Sequence, residues 1–352
     1  MLSSGELISV VIPVYNSEKY ILNQLKSLDN QTYQNFEIII AFDSKTTDNS
    51  LNIIYDFKTL ISNRERERER DIYVFIDKDN SPGDARNRGF NYATGDFVAF
   101  IDVDDIIHPN YLEYLHDIFV QHPLLDVGFC NISRIEFGMD VPNIFEFIDE
   151  PIMPIELYEQ EELLIQYIHR ELIPTRAAWP YLVRRRYLIE NSIQFSENRY
   201  GEDQFWVFNV LCNTPKIGFV HNKLYYYVQR HESICHTINW KEKTKAMQDL
   251  INRTVPILSK INAKIRDIYY ANDTYEILSE VAKNGSYNDI KSYLSKEELR
   301  YLQTCINTEK QFLNRKSLGR AIFTKNMYLW YLCINLFDMA YHAYNNIRYL
   351  KE

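Results

Sequence analysis

Residues 83–105 read GDARNRGFNYATGDFVAFIDVDD, and the fold can be worked outward from them. A helical pattern over Gly83 to Ala93 is followed by Phe97 to Ile101, an apolar run without alternation, which is the pattern of a strand buried on both faces. The run ends in Asp102, Asp104 and Asp105. The same rhythm extends upstream. Leu7 to Val14 (LISVVIPV) reads as a first buried strand, and Ser17 is placed to cap a helix whose Tyr20, Ile21, Leu25 and Leu28 share one face. Phe36 to Ala41 (FEIIIA) returns as a strand, then come a helix over Asn49 to Phe57 and a strand over Ile72 to Ile76. Strands alternating with helices predict a doubly wound, mostly parallel, Rossmann-like α/β domain, whose ligands bind beyond the carboxyl ends of the strands.

Downstream of Asp126 to Ile132 the alternation loosens into short strands, a helix around Glu161 to His169, and the basic aromatic stretch RAAWPYLVRRR from Arg176 to Arg186. A helix over Glu202 to Cys212 and a strand over Ile217 to Val228 complete the first domain, predicted as residues 1–239. Residues 240–352 lack β-branched clusters and predict a smaller α-helical domain, with helices over roughly 240–262, 272–284, 295–307 and 320–348. RERERER, Arg64 to Arg70, carries no apolar face and reads as a solvated loop or helix end.

The chain has 352 residues, 46% hydrophobic and 25% charged, which excludes collagen, bulk disorder and a disulfide miniprotein. A net charge of -9 argues against a nucleic-acid-wrapping body. Five dispersed cysteines without a CxxC pair offer no zinc knuckle and fit free thiols in a cytoplasmic location. The N-terminus has no basic n-region and reads as a strand rather than a signal peptide. Met327 to Tyr341 is the most apolar late stretch, shorter than the roughly 20 residues a spanning helix needs. Twenty-seven tyrosines, 19 phenylalanines and four tryptophans would suit a carbohydrate groove. The basic, aromatic tail 310–352 is compatible with peripheral contact at an anionic membrane, which would be the inner face of the plasma membrane. Packing on the first domain, or on a second copy in a homo-oligomer, fits the tail equally.

Three carboxylates at one strand end need a counterion. A hard divalent cation, Mg²⁺ or Mn²⁺, shared with diphosphate oxygens answers that need, and points to a nucleoside-diphosphate ligand. The plainer reading is that Asp105 caps a helix beginning near Pro109 while Asp102 and Asp104 are hydrated. Arg86 suits either a carboxylate or a phosphate. Glu202 and Asp203 in a first helical turn are favoured by the macrodipole alone. Arg184 to Arg186 read as a phosphate-attracting cluster or as three side chains pointing apart, and Trp179 packs readily in a core. No glycine-rich loop follows the first strand and no GxGxxG is present, against a nucleotidyltransferase or a dehydrogenase.

Four ordered blocks, SVVIPVYNSEKYI at 9–21, FEIIIAFDSKTTDNS at 36–50, the 83–105 stretch and GEDQFW at 201–206, carry a resemblance to the family 2 inverting glycosyltransferases over about residues 7–236. The resemblance implies a GT-A fold and a metal-dependent, inverting transfer from a UDP-sugar to a hydroxyl of a glycan or glycoconjugate acceptor, in bacterial surface polysaccharide synthesis. The sugar implied is a hexosyl or N-acetylhexosaminyl group. By position, Pro13, Tyr15 and Asp43 inherit uridine contacts, Arg86 lies near base and pyrophosphate, Asp102 takes the ribose side and Asp104 is the metal ligand. Asp203 matches the catalytic base, with Glu202 orienting hydroxyls, and Trp179 stands where relatives face the acceptor. Arg230 and Ser233 match a loop over the diphosphate, where His231 or His236 is a further metal ligand in some relatives. The chain departs from the family at Phe42, where an aspartate is usual. The competing class is a noncatalytic nucleotide- or glycan-binding module on the same fold.

Overall fold

The computed structural model describes residues 5–64, 71–79, 81–135, 151–169, 176–197, 200–230 and 238–308, with 327, 328, 330 and 331. The chain divides into two compact units, Met1–Thr237 and Ile238–Glu352.

The first unit opens with β1 (Ile8–Val14), α1 (Ile21–Asp29), β2 (Phe36–Asp43), α2 (Ser50–Arg64), β3 (Ile72–Asp77), α3 (Pro82–Tyr92) and β4 (Phe97–Phe100). These four strands are parallel in the order β3-β2-β1-β4. Every residue from Phe97 to Ile101 is at most 2% exposed, which is why the run shows no alternation. The chain winds outward from β1 to β3, then crosses back to lay β4 on the other side of β1. That reversal opens a crevice at the carboxyl ends of β1 and β4.

The sheet continues through β5 (Ile106–Ile107), α4 (Tyr111–Gln121), β6 (Val127–Ile135), β7 (Ile155–Glu159), α5 (Gln160–His169), β8 (Tyr181–Arg184), α6 (Arg185–Glu190), α7 (Glu202–Asn213) and β9 (Lys216–Val228). Its order runs on as β4-β8-β6-β9-β5, with β7 also on β9. β8 is antiparallel to both neighbours, and β6 and β9 are parallel. The result is the mostly parallel α/β sheet expected from the sequence.

Several local expectations change. The Ser17 hydroxyl donates to the Tyr15 carbonyl instead of capping α1; the Ser17 carbonyl accepts from the N–H groups of Tyr20 and Ile21. α2 runs past Phe57 to Arg64, while residues 65–70 of the charged repeat lie outside the described residues. Arg184 pairs in register with Phe97, at the amino end of β4 and so far from Asp102. Its guanidinium binds the Glu6 carboxylate and the Leu125 carbonyl and lies over the Phe97 ring. Arg186 is exposed beside Asp126. Arg185 gives its N–H to the Asp96 carbonyl, so all three arginines stand at the amino end of β4, away from the DVDD segment.

The second unit holds α8 (Trp240–Ile261), α9 (Ala263–Asn284), α10 (Tyr287–Tyr293) and α11 (Lys296–Thr308). α9 starts at 263 rather than 272 because the Asn262 side chain accepts from the N–H groups of Lys264 and Ile265. α10 was not read from the sequence; it is held by a capping box between Ser286 and Asp289. The helix expected over 320–348 lies almost wholly outside the described residues. Among the described residues no helix is long and apolar enough to cross a membrane. Cys130, Cys212 and Cys305 are buried free thiols.

Candidate active site

After β4 the chain turns through Asp102-Val103-Asp104-Asp105, closed by a hydrogen bond from the Asp105 N–H to the Asp102 carbonyl. Carboxylate oxygens of the three aspartates lie within 4.8 Å of one another. Asp105 points inward and is 2% exposed. Its Oδ2 accepts from the Tyr225 hydroxyl at 2.7 Å and its Oδ1 from the Val228 N–H at 2.9 Å. It caps nothing: α4 begins at Tyr111, with Asn110 at the cap position. Burial, then the neighbouring Asp102, pushes the Asp105 carboxyl well above the ordinary range. Asp104 faces the other way, in an ion pair with Arg230, whose guanidinium lies 4.3 Å over the Tyr20 ring.

Arg86 rises from α3 and is 4% exposed. Its guanidinium reaches three carboxylates: Asp102 Oδ1 at 2.6 Å, Asp203 Oδ1 at 3.0 Å and Glu202 Oε1 at 3.1 Å. The ring of Phe195 lies 5.3 Å below it. Burial disfavours the charge, but Asp203, Asp102 and Glu202 outweigh it and hold Arg86 protonated. Gly83 permits this placement, since a methyl group there would stand 2.4 Å from the Ser196 carbonyl. Asn87 exchanges two hydrogen bonds with the Phe195 backbone and fixes that loop under α3. Glu202 and Asp203 open α7 behind Gly201, whose φ of 79° is left-handed. Burial raises both carboxyls above their usual range, opposed by Arg86.

Pro13, Tyr15 and Asp43 lie at the carboxyl ends of β1 and β2, on the same edge of the sheet as Asp102. Tyr15 is exposed, and Asp43 is buried with Oδ1 accepting from the Lys45 N–H. Trp179 is 3% exposed, stacked 4.2 Å from Tyr225 and 5.5 Å from Tyr227. Its packing alternative is the one seen; the ring is not presented to an acceptor. His231, Ser233 and His236 lie outside the described residues. Tyr225 is the residue sequence reading missed. Its signal was strand alternation, since Tyr225 and Tyr227 share a face of β9.

The donor set fits a hard divalent cation. Both Asp105 oxygens are engaged, leaving Asp102 and Asp104, whose side chains are 25% and 17% exposed, and Mg²⁺ sites commonly use one or two carboxylates.

The Glycosyl transferase family 2 pattern matches residues 9–171. The glycosyltransferase GlyG of Streptococcus pneumoniae is 30% identical over 235 residues, which cover 66% of this chain and 74% of that protein. The chain belongs to the family 2 glycosyltransferases. Across a longer span, an uncharacterized glycosyltransferase of Escherichia coli, YibD, is 25% identical over 333 residues, covering 93% of this chain and 87% of its own. The crystal structure of Staphylococcus aureus TarS residues 1–349 with UDP-GlcNAc superposes with a TM-score of 0.60 at 20% identity, covering 93% of this chain and 88% of that one. That likeness extends the family's GT-A fold to this glycosyltransferase.

Proposed function

We propose that this glycosyltransferase is divalent-metal-dependent and inverting, and moves a sugar from a UDP-sugar to a hydroxyl of a glycan or glycoconjugate acceptor in bacterial surface polysaccharide synthesis. The observation that carries the reading is the DVDD turn at the β1/β4 reversal, joined to Asp203 through Arg86. TarS supports the donor: it has been crystallised with UDP and with UDP-GlcNAc, and relatives of that name are poly(ribitol-phosphate) β-N-acetylglucosaminyltransferases.

Asp104, with Asp102, would hold Mg²⁺ or Mn²⁺, which when bound neutralises charge on the leaving diphosphate. Asp203 takes the proton of the acceptor hydroxyl. The acceptor oxygen bonds to the anomeric carbon from the face opposite the diphosphate, and the electron pair of the broken C–O bond leaves on the diphosphate. One displacement inverts the centre. A carboxyl raised by burial is a stronger base, and Arg86 preserves its ionised form. Glu202 shares Arg86 and so sets its orientation. Arg230, beside Asp104, offers donors to diphosphate oxygens. Pro13, Tyr15 and Asp43 take the uridine; Ser233 joins Arg230, and His231 or His236 adds a metal ligand. Residues 240–352 serve the acceptor, a second copy or a membrane surface.

Calorimetric titration with UDP, GDP and CDP, each with and without Mn²⁺, tests the donor site. Metal-dependent binding of UDP that disappears in Asp104→Ala is expected. A folded protein that takes up no nucleotide under any condition would sink the proposal.

A further inference from the structure

Of the three clustered aspartates, Asp105 is the one whose oxygens are both spent within the protein, and both go to β9. The Tyr225 oxygen that donates to Asp105 Oδ2 also accepts from the Asp102 N–H at 3.2 Å. One hydroxyl thus ties the first and last residues of the DVDD turn. Tyr225 is itself enclosed by its neighbours: it is fully buried, stacked on Trp179, edge-on to Tyr111 at 6.0 Å, and in register with Ile107 of β5. A buried carboxylate persists at tolerable cost only when its lone pairs are met, so this contact is built into the turn.

We infer that Tyr225 is a positioning residue for the metal-binding turn and that Asp105 is its inward strut rather than a metal ligand. The inference rests on the metal-dependent reading above. With both ends of the turn fixed on one oxygen, Asp104 between them has a defined outward aim. Groups that orient metal ligands typically govern metal affinity by about 10- to 100-fold when removed.

The test is Mn²⁺ affinity of the full chain at saturating UDP, read by electron paramagnetic resonance of free Mn²⁺, with UDP binding in excess Mn²⁺ and thermal unfolding measured alongside. Tyr225→Phe should weaken Mn²⁺ by about 10- to 100-fold, and recover both wild-type UDP binding and turnover in excess Mn²⁺. Tyr111→Phe removes a hydroxyl from the same stack, one that donates to the Trp179 carbonyl at 2.6 Å. It should lower thermal stability yet leave Mn²⁺ affinity at the wild-type value. Asp105→Asn keeps an oxygen for the Val228 N–H but loses the acceptor for the Tyr225 hydroxyl, so it should weaken Mn²⁺ no more than Tyr225→Phe does, whereas Asp104→Asn should lose the metal at any usable concentration. Wild-type affinity in Tyr225→Phe, or equal weakening in Tyr111→Phe, overturns the positioning role. Loss in Asp105→Asn as deep as in Asp104→Asn makes Asp105 a ligand and overturns the strut, and this pair decides the matter should Tyr225→Phe fail to fold. A wild-type protein that binds no Mn²⁺ with UDP defeats the functional reading itself and takes the inference with it.

Discussion

The two ends of β4 treat acidic residues differently. At the amino end each acid has partners that suit it: Glu6 is held by Arg184 at 3.1 Å and by His116 at 3.2 Å, and Asp96 accepts from the Leu7 N–H. Buried Glu37, nearby on β2, accepts from the Ser9 and Thr94 hydroxyls and the Thr94 N–H. At the carboxyl end Asp102, Glu202 and Asp203 share the one guanidinium of Arg86, Asp104 pairs with Arg230, and Asp105 pairs with no cation among the described residues, only with the Tyr225 hydroxyl and the Val228 N–H. This chain can balance buried acids, so the surplus at one end is not a general failure of packing. Carboxyls held above their ordinary range in a crevice mark the end where stability is given up for chemistry.

The contrast is broken most decisively by kinetics. Asp203→Asn keeps the volume and removes the base; turnover should fall about 10²- to 10⁴-fold while UDP affinity holds, measured by initial rates and calorimetry. Unchanged turnover would remove Asp203 from the mechanism. In stability the two ends should separate under urea. Arg86→Met strands three carboxylates in a buried place and should cost about 3–5 kcal/mol, whereas Arg184→Met leaves Glu6, 43% exposed, free to take up water, and should cost less and leave nucleotide binding intact. Equal losses would mean that the ends are not energetically distinct. The pH profile sharpens the same point. Because the Asp203 carboxyl is raised, the acid limb of kcat/KM should lie above the usual aspartate value of about 4, with activity lost as pH falls through it.

The smallest effect is on melting temperature. A carboxyl raised in the folded state contributes stability below about pH 4 that is lost as pH rises through its folded value. Asp203→Asn should therefore melt a few degrees higher than wild type near pH 8, and the gain should vanish toward pH 4. A variant that melts lower at pH 8 would show Asp203 to be a stabilising partner of Arg86 instead.

The parallel half of the sheet was legible because it is local. β1, β2 and β4 announce themselves as strongly apolar runs, broken in β1 only by Ser9 and in β2 by Glu37 and Asp43, and both faces are buried. The mixed half was harder. β8 hides in RAAWPYLVRRR, since a strand of four residues carries too few positions to show a period. In the site, the DVDD and GED segments stood out as text, but their connections did not. Arg86 reads as a phosphate or a carboxylate partner until Glu202, 116 residues away, is placed beside it. Asp105 reads as a helix cap until Tyr225, 120 residues on, takes its proton acceptor. The short range of cap and turn rules cannot reach such pairs, and Trp179 was undecided for the same reason.

Those long separations bear on the order in which the protein is made. During synthesis the DVDD turn leaves the ribosome more than a hundred residues before β9 exists, so its aspartates stay hydrated while β1 to β4 can already pair. Only when Val228 has emerged can the turn be drawn in and Asp105 dehydrated. The crevice beyond β1 and β4 is thus among the last parts of the first unit to close, and a nascent chain interrupted before β9 would carry the sheet's parallel half without an assembled DVDD turn.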